Sequence, residues 1–156
     1  MNVKIRKAVI PVAGLGTRFL PVTKTVPKEL LPIVDKPILL YIFEEILAAG
    51  IEEVILIQGR GKAAIENFFA TAVELEEMLE KTGKRDVLKE VREIRAKIKL
   101  VSVRQDRALG LGHAVLTAKA VVQEEPFAVL LGDEIMLPVP GMPSAIGQLC
   151  ELYHQS

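Results

Sequence analysis

Of the 156 residues, one is cysteine, none is tryptophan and only 4% are aromatic. A lone Cys150 cannot form an internal disulfide, so the stapled secreted scaffolds are set aside and a reducing cytoplasm is the expected setting. An excess of one charge is also missing: 20 Lys+Arg stand against 20 Asp+Glu, for a formal net charge of zero. That excludes a broad electrostatic grip on nucleic acid or acidic membranes and leaves room for a local basic pocket. No apolar run approaches the ~20 residues a membrane helix needs. The N-terminal candidate, Ala8 to Leu15, is interrupted by Pro11 and Gly14. Charged Arg18 and Lys24 follow where a signal peptide would present its cleavage site. The expectation is a soluble, cytoplasmic protein with neither nucleic acid nor membrane as partner.

What is present is globular. Half of the residues are hydrophobic and 26% are charged, which is incompatible with intrinsic disorder. A chain of this length buries roughly 68–70% of its unfolded surface, enough for one core. Lys7 to Ala13 is short and continuously apolar after its first residue, and a Gly-rich turn follows. It reads as a strand buried on both faces. Glu53 to Ile57 reads as a second buried strand, and Ile98 to Val103 and Phe127 to Leu131 as a third and a fourth strand. Pro21, Pro27, Pro32 and Pro37 forbid a long helix between Thr17 and Lys36. Pro37 to Ala49 is an amphipathic helix ended by Gly50. Further helices are expected at 62–69, 74–80, 86–94 and 112–122, with a last one N-capped by Ser144. The charged pair at 74–80 and 86–94 suits a solvated face. The order β-α-β-α-α-α-β-α-β-α predicts an α/β fold: a Rossmann-like three-layer α/β/α sandwich with a mostly parallel sheet and right-handed crossovers.

The strongest local signal is Ala13-Gly14-Leu15-Gly16-Thr17-Arg18 directly after the first strand. Glycines there let backbone N–H groups approach an anion, and Arg18 adds a bidentate charge for phosphate. Two familiar Gly-rich loops do not match. A dinucleotide fingerprint needs glycine where Phe19 stands, and a Walker A loop needs a hydroxyl where Gly61-Lys62-Ala63 has alanine. Lys28, held in a Pro-rich segment, is expected to point inward. Glu29 is open to two roles: accepting hydrogen bonds from a sugar or base, or balancing charge locally. His113 opens an apolar helix and reads as packing or capping, and His154 as exposed. Asp133, at the end of the fourth strand, is placed to hold Mg²⁺ against phosphates.

Taken together, Val12 to Arg18, Pro21-Val22-Thr23-Lys24 and Pro27-Lys28-Glu29-Leu30-Leu31-Pro32-Ile33-Val34-Asp35-Lys36-Pro37 resemble the signature of the sugar-nucleotidyltransferases. The likeness extends through the charged insert at Glu74 to Ile94, Val103-Arg104-Gln105 and Gly110-Leu111-Gly112-His113-Ala114. The insert and the Lys28-Glu29 pair favour the uridylyl branch over the thymidylyl one. The resemblance implies a nucleotide-diphospho-sugar transferase fold, its sheet mixed in the full family. It implies that UTP and glucose 1-phosphate react with Mg²⁺ to give UDP-glucose and pyrophosphate.

By that resemblance Ala13, Gly14, Leu15, Gly16 and Thr17 wrap the nucleotide, and Arg18 and Lys28 stabilise the transferring phosphate. Glu29 is counted with the nucleotide-binding residues. Gln105 reads the uracil edge, with Gly110 close to the base, and Asp133 holds the metal. It also implies a second metal-binding aspartate and a lysine for the sugar phosphate. Beyond Asp133 the only acidic residues are Glu134 and Glu151, and no lysine follows Lys119. The expectation is therefore that residues 1–156 are the nucleotide-binding portion without the sugar-binding portion. Such a portion would expose a sheet edge and self-associate as a homo-oligomer. The alternatives are a non-catalytic UTP-binding module and an enzyme that uses dTTP.

Overall fold

The computed structural model describes residues 3–137 and 139–155. Four strands form one parallel sheet: β1 (Lys7–Val12), β4 (Glu53–Gln58), β5 (Lys99–Arg104) and β6 (Phe127–Val129). Their spatial order is β5-β4-β1-β6. Val9 lies opposite Ile55, and Ile55 opposite Val101. A short antiparallel hairpin, β2 (Pro32–Ile33) and β3 (Lys36–Pro37), stands apart from this sheet.

Because strand side chains alternate, each strand feeds two cores. Ala8, Ile10, Val12, Val54 and Leu56 face one side. There they meet Leu39, Ile42, Phe43 and Ile46 of α1 (Ile38–Ala48), Ile65 and Phe69 of α2 (Ala63–Phe69), Ile94 of α4 (Lys89–Lys97) and Ile146 of α7 (Ala145–Gln155). Val9, Ile55 and Ile57 face the other side. They pack on Ala114 of α5 (Leu111–Thr117) and on Ala118 and Val122, the latter in α6 (Lys119–Val122). Helix, sheet and helix thus make the expected three layers. Each fully buried Ile or Leu contributes about 1.5–3 kcal/mol to holding them together.

The ends of α1 and α7 follow their sequence signals. Gly50 has φ +70°. The Gly50 N–H bonds Leu47 O at 3.1 Å and the Ile51 N–H bonds Ile46 O at 3.3 Å, the paired bonds of a Schellman stop. Ser144 Oγ accepts from the Gly147 N–H at 3.2 Å and caps α7.

Several boundaries differ from expectation. The 112–122 helix is split, because the Ala118 N–H bonds Val115 O in a tighter turn. Only residues 127–129 of the fourth strand pair with β1. The chain then turns so that Gly132 can pack on the end of β1. The second charged helix begins at Lys89, after a 3₁₀ turn at Arg85–Leu88. That shift places Val91, Ile94 and Ile98 against the core.

The charged helices α3 (Val73–Lys81) and α4 do more than face solvent. Glu76 of α3 is gripped by Arg95 at 2.9 and 3.2 Å and by Arg92 at 3.1 Å. The Arg95 hydrogen bonds, with help from Arg92, hold the Glu76 carboxyl down to about 2. A lowered folded-state pKa adds stability that is present above the ordinary carboxylate pKa and lost as pH falls through the folded one. Glu76→Gln should therefore lower the melting temperature at neutral pH. Its gap from the parent should close as pH approaches 2. Thermal melts across acid pH measure this; a gap that persists at the acid end would contradict it.

Candidate active site

The strand order places the site. The chain runs outward from β1 through β4 to β5, then returns to the other side of β1 with β6. Between β1 and β6 the order reverses, and ligands of open α/β sheets bind in the crevice outside the carboxyl ends at such a switch point. The loops leaving β1 and β6 meet there.

After Val12 the chain passes through Ala13-Gly14-Leu15 to Gly16, whose φ of +65° favours glycine. Gly16 opens a 3₁₀ turn at Thr17–Phe19. Its carbonyl accepts from the Phe19 N–H at 2.9 Å and from Thr23 Oγ1 at 2.7 Å. The Pro-rich segment, wound into 3₁₀ turns at Val22–Lys24 and Lys28–Leu30, thus folds back on the loop. Leu15, Thr17 and Arg18 remain exposed.

The Lys28 side chain lies along Gly14, with Cε 3.6 Å from where a Cβ would stand. Its ammonium is 2.6 Å from Asp133 Oδ2, and the side chain as a whole is only 17% exposed. Arg18, 85% exposed, brings Nη2 to 3.9 Å from the same oxygen. Asp133 is held in place by its neighbour. A Cβ on Gly132 would stand 3.1 Å from Val12 Cγ1 and 3.2 Å from Pro11 O, so the turn after β6 packs directly on β1. The Gly- and Pro-rich stretch after β1 and the turn after β6, far apart in sequence, therefore bring two cations and one carboxylate to a single point.

Glu29 is placed differently from its neighbour Lys28. It is fully buried, and Lys62 Nζ donates to its Oε2 at 2.8 Å. Its Oε1 is buried without a partner among the described residues. Lys62 balances the Glu29 charge locally, and Oε1 keeps its acceptor capacity. Lys62 was noticed in the sequence only as part of a failed Walker A match, and no local signal marks it as the partner of Glu29.

Gln105 follows β5, two strands from β1 on the same carboxyl edge. Strand spacing of about 4.8 Å puts these loops about 10 Å apart. Its N–H is fixed on Gln58 O at 2.8 Å. Its side chain is buried, with Nε2 2.9 Å from His113 Nδ1 and 3.5 Å from the carbonyl of Gly110, the residue that caps α5. His113 is therefore more than a packing residue: it holds Gln105. His154 is exposed, as expected.

No group of three or more His, Cys, Asp or Glu residues able to hold a metal occurs among the described residues. Asp133 offers a carboxylate at the crevice, beside Lys28 and Arg18. Mg²⁺ is commonly held by one or two carboxylates together with substrate phosphates. One carboxylate flanked by two cations suits a metal that arrives with an anionic ligand better than it suits a preformed cage. No helix among the described residues is long and apolar enough to cross a membrane. Cys150 is buried, and burial pushes its thiol pKa up, away from reactivity.

The chain is 52% identical over 153 residues to UTP–glucose-1-phosphate uridylyltransferase YngB of Bacillus subtilis, covering 98% of this chain and 50% of the relative. It is 55% identical over 137 residues to UTP–glucose-1-phosphate uridylyltransferase of Escherichia coli, covering 87% and 45%. The fold superposes on an apo UDP-glucose pyrophosphorylase with TM-score 0.91 at 45% identity, over 97% of this chain and 55% of that one. It superposes on a UTP-bound UGPase from Acinetobacter baumannii with TM-score 0.90 at 47% identity, over 97% and 53%. The chain spans about half the length of the curated relatives it matches. With residues 7–142 matching the Nucleotidyl transferase family, the chain belongs to that family.

Proposed function

We propose that residues 1–156 are the nucleotide-binding portion of a uridylyltransferase that makes UDP-glucose and pyrophosphate from UTP and glucose 1-phosphate. The observation that carries this reading is the meeting of Arg18, Lys28 and Asp133 beside the Gly14–Gly16 loop at the switch point. In this reading Ala13 to Thr17 cradle the triphosphate with backbone N–H groups. Lys28 turns from Asp133 toward the α-phosphate and the departing pyrophosphate, and Arg18 closes over them. Gln105 and Gly110 meet the base. Glu29, locked to Lys62, sets the turn that carries Lys28.

A phosphate oxygen of the sugar phosphate forms a new bond to the α-phosphorus. The bond between that phosphorus and its bridging oxygen to the β-phosphate breaks, and pyrophosphate leaves with the electron pair. Lys28 and Arg18 offset the charge that builds on the transferring and leaving groups. Asp133 would hold Mg²⁺, which supplies further charge neutralisation on the phosphates. A lone, buried cysteine supports a reducing cytoplasmic setting. The resemblance also calls for a lysine at the sugar phosphate and a second metal-binding aspartate, and neither residue type occurs after Asp133, so this chain is expected to bind UTP more readily than to turn it over.

Calorimetric titration with UTP, dTTP and Mg²⁺ tests the reading. Saturable UTP binding stronger than dTTP binding supports it. Tighter dTTP binding would move the chain to the thymidylyl branch, and absence of UTP binding would remove the site assignment. A pyrophosphate-release assay with glucose 1-phosphate separates an enzyme from a binding module.

A further inference from the structure

His113 has no role in the chemistry above, yet its position constrains Gln105. It sits half-buried in the first turn of α5. Gln105 Nε2 lies 2.9 Å from His113 Nδ1 and 3.5 Å from Gly110 O. A backbone carbonyl can only accept, so the amide end facing Gly110 is the NH₂ end. That same nitrogen gives its other hydrogen to His113 Nδ1. Nδ1 must then carry a lone pair, which places the ring proton on Nε2. With both amide hydrogens engaged, Gln105 has only Oε1 left to offer. That oxygen has no partner among the described residues and is not sealed from solvent.

We propose that His113 is a positioning residue that locks the Gln105 amide with its oxygen outward, so that the site selects a pyrimidine whose N3 carries hydrogen. Uracil and thymine present an N3–H donor to Oε1. Cytosine presents an N3 lone pair there, which would face an acceptor. Without His113 only the longer 3.5 Å contact with Gly110 O still holds the amide, so it can turn over more readily and offer its NH₂ group, and cytosine becomes more acceptable. The inference rests on the reading of Gln105 as the base contact and adds to it the residue that decides which way the contact faces.

Calorimetric titration of the chain with UTP and with CTP, each with Mg²⁺, tests it on the parent, His113→Leu and His113→Asn. Thermal melts run alongside. The parent should prefer UTP. His113→Leu should lose about tenfold of that preference, the scale of one buried hydrogen bond. His113→Asn, whose Oδ1 can stand where Nδ1 stood and accept the same hydrogen, should restore it. If His113→Leu does not melt cooperatively, His113→Ala gives the same readout. Equal loss of UTP and CTP binding, with the ratio unchanged, means that His113 only supports the fold and overturns the inference. Failure of the parent to bind UTP overturns the reading of the whole site and this inference with it, whereas parental binding with an unchanged ratio in the variants overturns this inference alone.

Discussion

Lys28→Met should weaken UTP binding by about 10- to 100-fold, the equivalent of losing a charge-assisted hydrogen bond worth about 1.5–3 kcal/mol. The size of the effect follows from where the ammonium sits. Lys28 is mostly buried, lies along Gly14 and is already 2.6 Å from Asp133 Oδ2. Little side-chain freedom remains for a ligand to remove, and the turn from Asp133 to phosphate exchanges one anionic partner for a more highly charged one. Its loss also leaves the Asp133 carboxylate opposed only by the exposed Arg18, beside an anionic ligand. Arg18→Ala should cost less. Arg18 is 85% exposed and 3.9 Å from Asp133, so it must be drawn in from solvent. The two variants, titrated with UTP beside the parent, order the cations directly. If Arg18→Ala proved the more damaging, or Lys28→Met bound UTP like the parent, the placement of Lys28 against the transferring phosphate would be wrong. Where turnover can be followed, Lys28→Met should also lower it by more than its effect on affinity, because charge develops on the leaving group only as the bond breaks.

The two central strands, β1 and β4, were legible because their apolar runs are nearly continuous, as burial on both faces of a parallel sheet requires. The outer strand β5 alternates Lys, Ser and Arg with apolar residues, and none of its residues is fully buried. The β2–β3 hairpin was not legible. Its two-residue turn places Val34 at φ +63°, 95% exposed, where glycine or asparagine would have announced the turn. The site divides in the same way. Gly14, Gly16, Arg18 and Lys28 stand close together in one segment, so a candidate phosphate loop could be picked out from residue types alone. What each side chain pairs with depends on contacts between segments far apart. Lys62 reaches Glu29 across 33 positions, and Lys28 reaches Asp133 across 105. Glu76 shows the limit on charged helices. Its composition suits a solvated face, but α4 packs back so that Arg92 and Arg95 close on it.

The pair that sequence reading missed should carry the largest stability effect in the molecule. Lys62→Met should destabilise the fold by about 3–5 kcal/mol, the range for removing one partner of a buried ion pair. For a domain of this size that is a fall in melting temperature of roughly 6–20 °C. Glu29 is fully buried, Lys62 is its partner at 2.8 Å, and Oε1 already lacks one. Without Lys62 neither carboxylate oxygen is satisfied, and the group must take up a proton or draw in water. Glu29→Gln should cost less, because the amide oxygen can still accept from Lys62. The double variant Glu29→Leu/Lys62→Met should recover much of the loss, since an apolar pair of similar volume avoids burying a lone charge. The coupling read from this cycle separates the ion pair from mere side-chain volume. Equal melting temperatures for the parent and Lys62→Met would show the pair to be energetically silent. The effect also reaches the ligand. Glu29 is the residue after Lys28 in the same 3₁₀ turn. Anchoring Glu29 to the β4–α2 loop therefore fixes the direction of the Lys28 ammonium, and Lys62→Met should weaken UTP binding even at temperatures where the variant remains folded. The double variant, with its turn anchored only by apolar contact, should regain stability more fully than affinity.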